Sequence, residues 1–209
     1  MPKIVDPTER RQHLAEAAWR VILRDGLEHA SVRNVAREAG LSNGSLRHMF
    51  STQAELLVFA MNQVVERIER RLGALDPTGD PRATAERFLV ELLPLDEERQ
   101  EENAVWLAFT ARALVDPELR ECAERSYDAL RAGCRRWVTE IAGDRVDVER
   151  EADRLHAVLD GLAVHAATRP EIATADRLRA ILAMHLDTLV PRENRRGRAG
   201  GSVGGRVSR

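Results

Sequence analysis

Residues 30–57 read ASVRNVAREAGLSNGSLRHMFSTQAELL, and this stretch decides the fold. Ser31 stands where a helix wants its N-cap: the hydroxyl oxygen can accept one of the backbone N–H groups that a first turn leaves unpaired. Val35, Ala36 and Ala39 follow at helical spacing and give a helix over 32–39 one apolar stripe. Gly40 marks its stop, because glycine enters the left-handed C′ conformation without a Cβ penalty. Ser42 caps a second short helix over 43–49, and Leu41 and Leu46 can pack back on the first. A short helix, a turn containing Gly and a second short helix is the shape that lays one helix in a DNA major groove. A solvated helical hairpin is the alternative; two caps and a Gly turn in the right order weigh against it.

The outward residues suit a nucleic-acid face. Asn43, Ser45, Arg47 and His48 offer hydrogen-bonding groups to base edges, and Arg33 and Arg37 on the preceding helix can reach phosphates. Lys3 and Thr52 are further candidates for positioning the head on the backbone.

At these residues the chain resembles the TetR family of bacterial transcriptional regulators. The resemblance runs from about Arg10 to Leu57. It takes in Leu14, Ala17, Ala18, Val21 and Ile22 of a first helix, then Gly26, Ser31-Val32, Val35-Ala36, Ala39-Gly40-Leu41-Ser42, Gly44-Ser45-Leu46, Phe50 and Leu56-Leu57. The Ser-Leu-Arg-His run, residues 45–48, is similar to a subset related to choline-responsive repressors. Gln53 stands where many members place a phosphate-contacting Lys. The resemblance implies an all-α protein of about nine helices: an N-terminal three-helix helix-turn-helix domain followed by a helical domain that binds an effector and dimerises. It further implies a repressor, released from its operator by a small molecule.

Composition agrees with a helical, water-exposed chain. Charged residues make up 32% and aromatics 4% of 209 residues, enough chain for one or two domains. No apolar run approaches the roughly 18 residues of a membrane span, and the N-terminus lacks the apolar region of a signal peptide, so a cytoplasmic protein is expected. The net charge of −2 hides an asymmetry. Residues 1–50 hold 8 Lys/Arg against 6 Asp/Glu, and 191–209 hold 6 Arg against 1 Glu, which leaves −9 for 51–190. A mildly basic head on an acidic body fits a protein whose head alone meets phosphate. The expected division is 1–51 for the head, 52–190 for the helical body and 191–209 for a disordered Gly/Arg-rich tail.

In the body, Thr52 and Glu55 make a capping box that opens a long linking helix over 52–75. Helices follow over 81–93, 97–115, 117–142, 147–168 and 174–190, separated by Pro, Gly and Asp breaks. The sixth is apolar on nearly all sides from 104 to 115, which predicts a central, buried helix. Cys122 and Cys134 lie twelve residues apart on the seventh, roughly 18 Å along its axis. A disulfide spans about 7 Å between Cα atoms, so the pair reads as two buried thiols.

The last two helices carry long stripes, Leu155, Val158, Leu159, Leu162 and Ala166, then Leu178, Ile181, Leu182, His185, Leu186 and Leu189. Two such neighbours suggest a homodimer through a four-helix bundle, unless both stripes face the chain's own core. A dimer would set two heads roughly 34–36 Å apart on a palindromic duplex. Candidate residues around an effector are Met61, Phe88, Trp106, Phe109, Tyr127 and Trp137, each of which could equally be core. Arg112, in the apolar part of the sixth helix, could anchor an anion or form an ion pair with a nearby carboxylate. His156 and Asp160 share a helix face and His165 lies opposite, which is too little for a metal site. No cofactor is expected. No nucleophile–base pairing or phosphate-cradling Gly loop points to an enzyme; an all-helical enzyme and a helical adaptor are the competing readings.

Overall fold

The structure is a computed structural model and describes residues 7–190. Lys3 and the tail 191–209 therefore lie outside the described residues. Among the described residues, nine α-helices follow in order: α1 Pro7–Asp25, α2 Val32–Glu38, α3 Asn43–Arg47, α4 Gln53–Gly73, α5 Pro81–Leu89, α6 Glu97–Ala113, α7 Pro117–Ala142, α8 Val148–Thr168 and α9 Ala175–Leu189. The protein is all-α, as expected, and no helix among the described residues is long and apolar enough to cross a membrane.

Local chemistry sets the boundaries. Ser31 accepts from Asn34 N and Ser42 from Ser45 N, so both short helices start at their hydroxyl caps. Gly40 sits at φ 66°, and Leu41 N donates back to Ala36 O at 2.9 Å while Gly40 N donates to Arg37 O at 3.2 Å. Those two bonds close α2 with orphan carbonyls satisfied, in a geometry that only a residue tolerant of positive φ accepts cheaply. The capping box of Thr52 and Glu55 opens α4. The fifth helix is shorter than expected: after Leu89 the chain tightens into a 3-10 turn, Val90–Leu92, ahead of Pro94.

The apolar residues form two cores. The first joins α1 (Leu14, Ala17, Ala18, Val21, Ile22), Val35, Leu46 and Phe50 to Leu56, Phe59, Ala60 and Val64 of α4. It also takes in Val105, Phe109 and Ala113 of α6 and the start of α7. The second joins α5 to the later part of α7 and to α8 and α9, with Trp137, Val138, Leu155, Leu159, Leu178, Leu182 and Leu186 inside. Apolar packing therefore crosses residue 51: α6 lays one face into the head. Trp19 marks the junction, buried, with its indole N–H donating to Ala60 O at 3.0 Å.

Two expectations need correction. The sixth helix is not buried all round. Val105, Phe109 and Ala113, at i, i+4 and i+8, face the first core, whereas Leu114 and Val115 beyond its end stand about three-quarters exposed. Burial follows which face meets a neighbour, and composition alone does not report that. The stripes on α8 and α9 also face inward: Leu155, Leu159, Leu162, Leu178, Leu182, Leu186 and Leu189 fill the second core. What stays exposed is Ile181 of the α9 stripe, together with Val164 and Met184, which lie outside the stripes. Both cysteines are buried free thiols, and burial pushes that of Cys134 up to about 12.

Candidate nucleic-acid interface and ligand cavity

The α2–α3 pair presents its polar side to solvent. Leu46 is fully buried and Leu41 partly so, which anchors α3 while Asn43, Arg47 and His48 stand exposed. Arg33 and Arg37 are exposed on α2, and Arg37 reaches Asn34 Oδ1 at 3.4 Å. Ser45 is only half-exposed, because Arg10 of α1 donates to its hydroxyl at 2.8 Å. Thr52 Oγ1 accepts from Glu55 N at 3.1 Å as the cap of α4. Gln53 is exposed, but its side-chain amide is held within the chain. Its amide donates to Leu27 O and Glu28 O at 3.4 and 3.3 Å and ties the start of α4 to the turn after α1. The sequence reading missed two supports from α1: Arg10, and His13, whose Nε2 lies 3.0 Å from Ala39 O at the end of α2. Both contacts join residues 26–35 positions apart, so no local pattern announces them.

A cavity of about 520 Å³ lies where the two cores meet, which is a size that suits a small organic molecule. Met61, Val65 and Ile68 of α4 and Trp106 of α6 wall it from the side of the first core, Phe88 of α5 and Trp137 of α7 from that of the second. Phe88 and Trp137 stack in a tilted pair, ring centroids 5.1 Å apart.

Four of the seven candidate effector residues thus meet there: Met61, Phe88, Trp106 and Trp137. Three do not. Phe109 is 2% exposed in the first core, on the face of α6 turned toward the head. Arg112 takes its ion-pair alternative: it is exposed, with Nε 3.3 Å from Asp116, one turn on. A charge at the solvated end of a helix needs no buried ligand to satisfy it. Tyr127 is also exposed and lies over the ring of His156, centroids 4.5 Å apart.

The polar wall was not legible in the sequence. Asp160 lines the cavity with His156 Nε2 3.5 Å away. Burial pushes the Asp160 carboxyl above the usual carboxylate range, and the attraction of His156 works against that rise. Glu102 lines the same cavity, nearly fully buried, and both its oxygens accept from Arg71 of α4 at 2.9 and 2.7 Å. Asn103 donates to Ala163 O at 2.9 Å, which bridges α6 and α8 across the wall. No group of three His, Cys, Asp or Glu side chains among the described residues could hold a metal ion.

Comparison with known proteins gives two family matches. Residues 14–58 match the tetR family of bacterial regulatory proteins, and residues 81–191 match the C-terminal domain of BetI-type transcriptional repressors. The HTH-type transcriptional regulator PksA of Bacillus subtilis is 39% identical over 201 residues, 93% of this chain and 97% of the relative. A transcriptional regulator from Rhodococcus sp. Rha1 superposes with a TM-score of 0.78 at 34% identity, covering 86% of this chain and 95% of that one. The multidrug binding protein EbrR, solved with ethidium, superposes with a TM-score of 0.61 at 28% identity over 87% of this chain and 99% of that one.

Proposed function

This chain belongs to the TetR family of DNA-binding transcriptional regulators, which are not enzymes, and from that premise we propose a cytoplasmic, homodimeric repressor that a small molecule releases from a palindromic operator. The observation that carries the reading is the capped α3, locked inward by Leu46 with Asn43, Arg47 and His48 outward. In this reading Asn43, Ser45, Arg47 and His48 read base edges, and Arg33, Arg37 and Thr52 hold phosphates. One five-residue helix contacts too few bases for tight specific binding, so two heads are required.

The dimer forms through α8 and α9. Ile181 and Met184 on α9 and Val164 on α8 are exposed although apolar, while the leucines beside them fill the second core. Such a face, flanked by charged residues, is suited to its own copy across a twofold axis.

The effector enters the cavity between the cores. Aromatic walls together with the Asp160 carboxyl suit an organic cation, and the fold neighbour EbrR holds one such molecule, ethidium. The whole functional division then runs as a head of residues 1–51 and an effector-binding, dimerising body of residues 52–190.

Selection of duplexes from a random pool by the purified protein tests the central claim. The expected product is an inverted repeat, bound by the wild type and weakened by about 1–3 kcal/mol in Arg47→Ala if Arg47 makes a bidentate guanine contact. Recovery of unrelated sequences, with Arg47→Ala binding as tightly as the wild type, would remove the assignment.

A further inference from the structure

A row of ion pairs runs along α4 from the head to the cavity wall. Arg67 of α4 has Nη2 3.5 Å from Glu16 of α1 and Nη1 3.3 Å from Glu98 of α6. Its guanidinium lies over the ring of Trp19, 4.3 Å from the centroid. One turn later Arg71 donates to both oxygens of Glu102, and its Nε lies 3.3 Å from Glu91. Arg99 joins the same Glu91 at 3.1 Å. The Glu102 side chain is 4% exposed and borders the cavity. Head, linking helix and cavity wall are therefore connected through charged side chains within hydrogen-bonding or ion-pairing reach of one another.

The two ends of this row differ in what they tolerate. Glu16 and Glu98 reach solvent, so Arg67 can exchange partners cheaply. Glu102 cannot, since a carboxylate that buried needs the guanidinium fork it holds. An occupant of the cavity that draws on a Glu102 oxygen competes with Arg71 for that carboxylate, and Arg71 is fixed to α4. We propose that Arg71 and Glu102 are positioning residues, a latch through which the cavity wall sets the placement of α4 and hence of the head. The inference rests on the reading of the cavity as the effector site; it adds which residues carry the signal and in which direction, with the closed latch corresponding to the operator-binding arrangement.

The test uses the full chain and the duplex that the wild type selects. Duplex affinity is measured by fluorescence anisotropy, without effector, for Glu102→Gln, Arg71→Gln, their combination and Arg71→Lys, with thermal unfolding and sedimentation in parallel. Each neutralisation is expected to weaken duplex binding by at least about tenfold while the dimer persists. The double variant is expected to match the weaker single one to within about twofold, because a latch already open cannot be opened twice. Arg71→Lys, which keeps the charge but not the fork, is expected to recover only part of the affinity lost in Arg71→Gln, and amide exchange in α4 is expected to rise in the neutralised variants while that in α8 and α9 does not. Should a neutralised variant fail to fold, Glu102→Asp, which keeps the charge and withdraws it by one methylene, is expected to weaken binding in the same direction. Variants that bind as the wild type does, or single losses that multiply in the double variant, overturn the latch. A wild type that selects no duplex overturns the DNA-binding reading instead, and the two failures are distinct.

Discussion

Phe109→Ala tests whether α6 belongs to the head's core. The ring is 2% exposed and is the largest of the fully buried side chains. Returning roughly 100–150 Å² of apolar ring surface to the balance costs about 2.5–4 kcal/mol at about 25 cal/mol per Å². The unfilled space adds to that, so a loss of about 3–5 kcal/mol is expected. This is a large share of the roughly 5–15 kcal/mol that keeps a domain folded. Urea unfolding of wild type and variant at equal protomer concentration measures it, since dimerisation itself stabilises each subunit. Hydrogen exchange then locates it. Because Phe109 packs in the core that holds Leu14, Val21 and Leu56, amides of α1 and α4 should exchange faster while those of α8 and α9 keep their protection. Phe88→Ala is the control: it is a half-buried ring at the cavity, should cost distinctly less, and should leave α1 unchanged. A loss below about 1 kcal/mol for Phe109→Ala would refute the reasoning, because no well-packed buried ring is removed so cheaply. So would loosening confined to α8 and α9.

Arg37→Ala should weaken every duplex alike and reduce the slope of log affinity against log salt by about 1, the signature of one lost phosphate contact; a changed sequence preference at constant slope would contradict it. Met184→Asp, a charge placed on the exposed apolar face of α9, should yield folded monomers by analytical ultracentrifugation and abolish tight duplex binding; an intact dimer would move the interface elsewhere. Asp160→Asn should be neutral or stabilising at pH 8 relative to the wild type. The sign follows from linkage: a carboxyl whose folded pKa is raised binds more protons in the native state, so the native state loses ground as pH climbs through that raised value, and the amide escapes this. The same substitution should weaken ethidium binding, followed by fluorescence without DNA, by roughly tenfold at pH 8, as expected for one lost charge-assisted contact. Equal ethidium affinity in the two proteins would dismiss Asp160 as the counter-ion.

The head was legible in the sequence because its signals are local. A hydroxyl at position 31, 42 or 52 meets a backbone N–H three residues on, and Gly40 closes α2 through bonds that span five residues at most. Neither needs knowledge of any distant segment. The helix order of the body followed for the same reason: Pro81, Asp116-Pro117 and Asp147 act on their own turns. The effector wall was only half legible. Trp106 and Phe109 are both aromatic, three residues apart on α6, yet one borders the cavity and the other enters the head's core. Three residues at about 100° each leave their side chains only about 60° apart on one broad face of the helix, and how α1 and α4 divide that face decides which ring enters the core.

What the sequence determined by itself was the identity of the elements: nine helices, eight of them opened by a side-chain cap, a helix-turn-helix with its polar side outward, and no strand among the described residues. Helix propensity, capping and hydrophobic period are interactions within a few residues, and a chain carries them before it folds. Only the tertiary structure decided how apolar surface was shared out between cores. It turned the leucines of α8 and α9 inward and left Val164, Ile181 and Met184 exposed. It paired Arg82 of α5 with Asp187 of α9, 105 positions away, and Arg71 with the buried Glu102. Charges and rings far apart in the chain come together only when a core closes around them, because the cost of burying each is met by partners that sequence distance conceals.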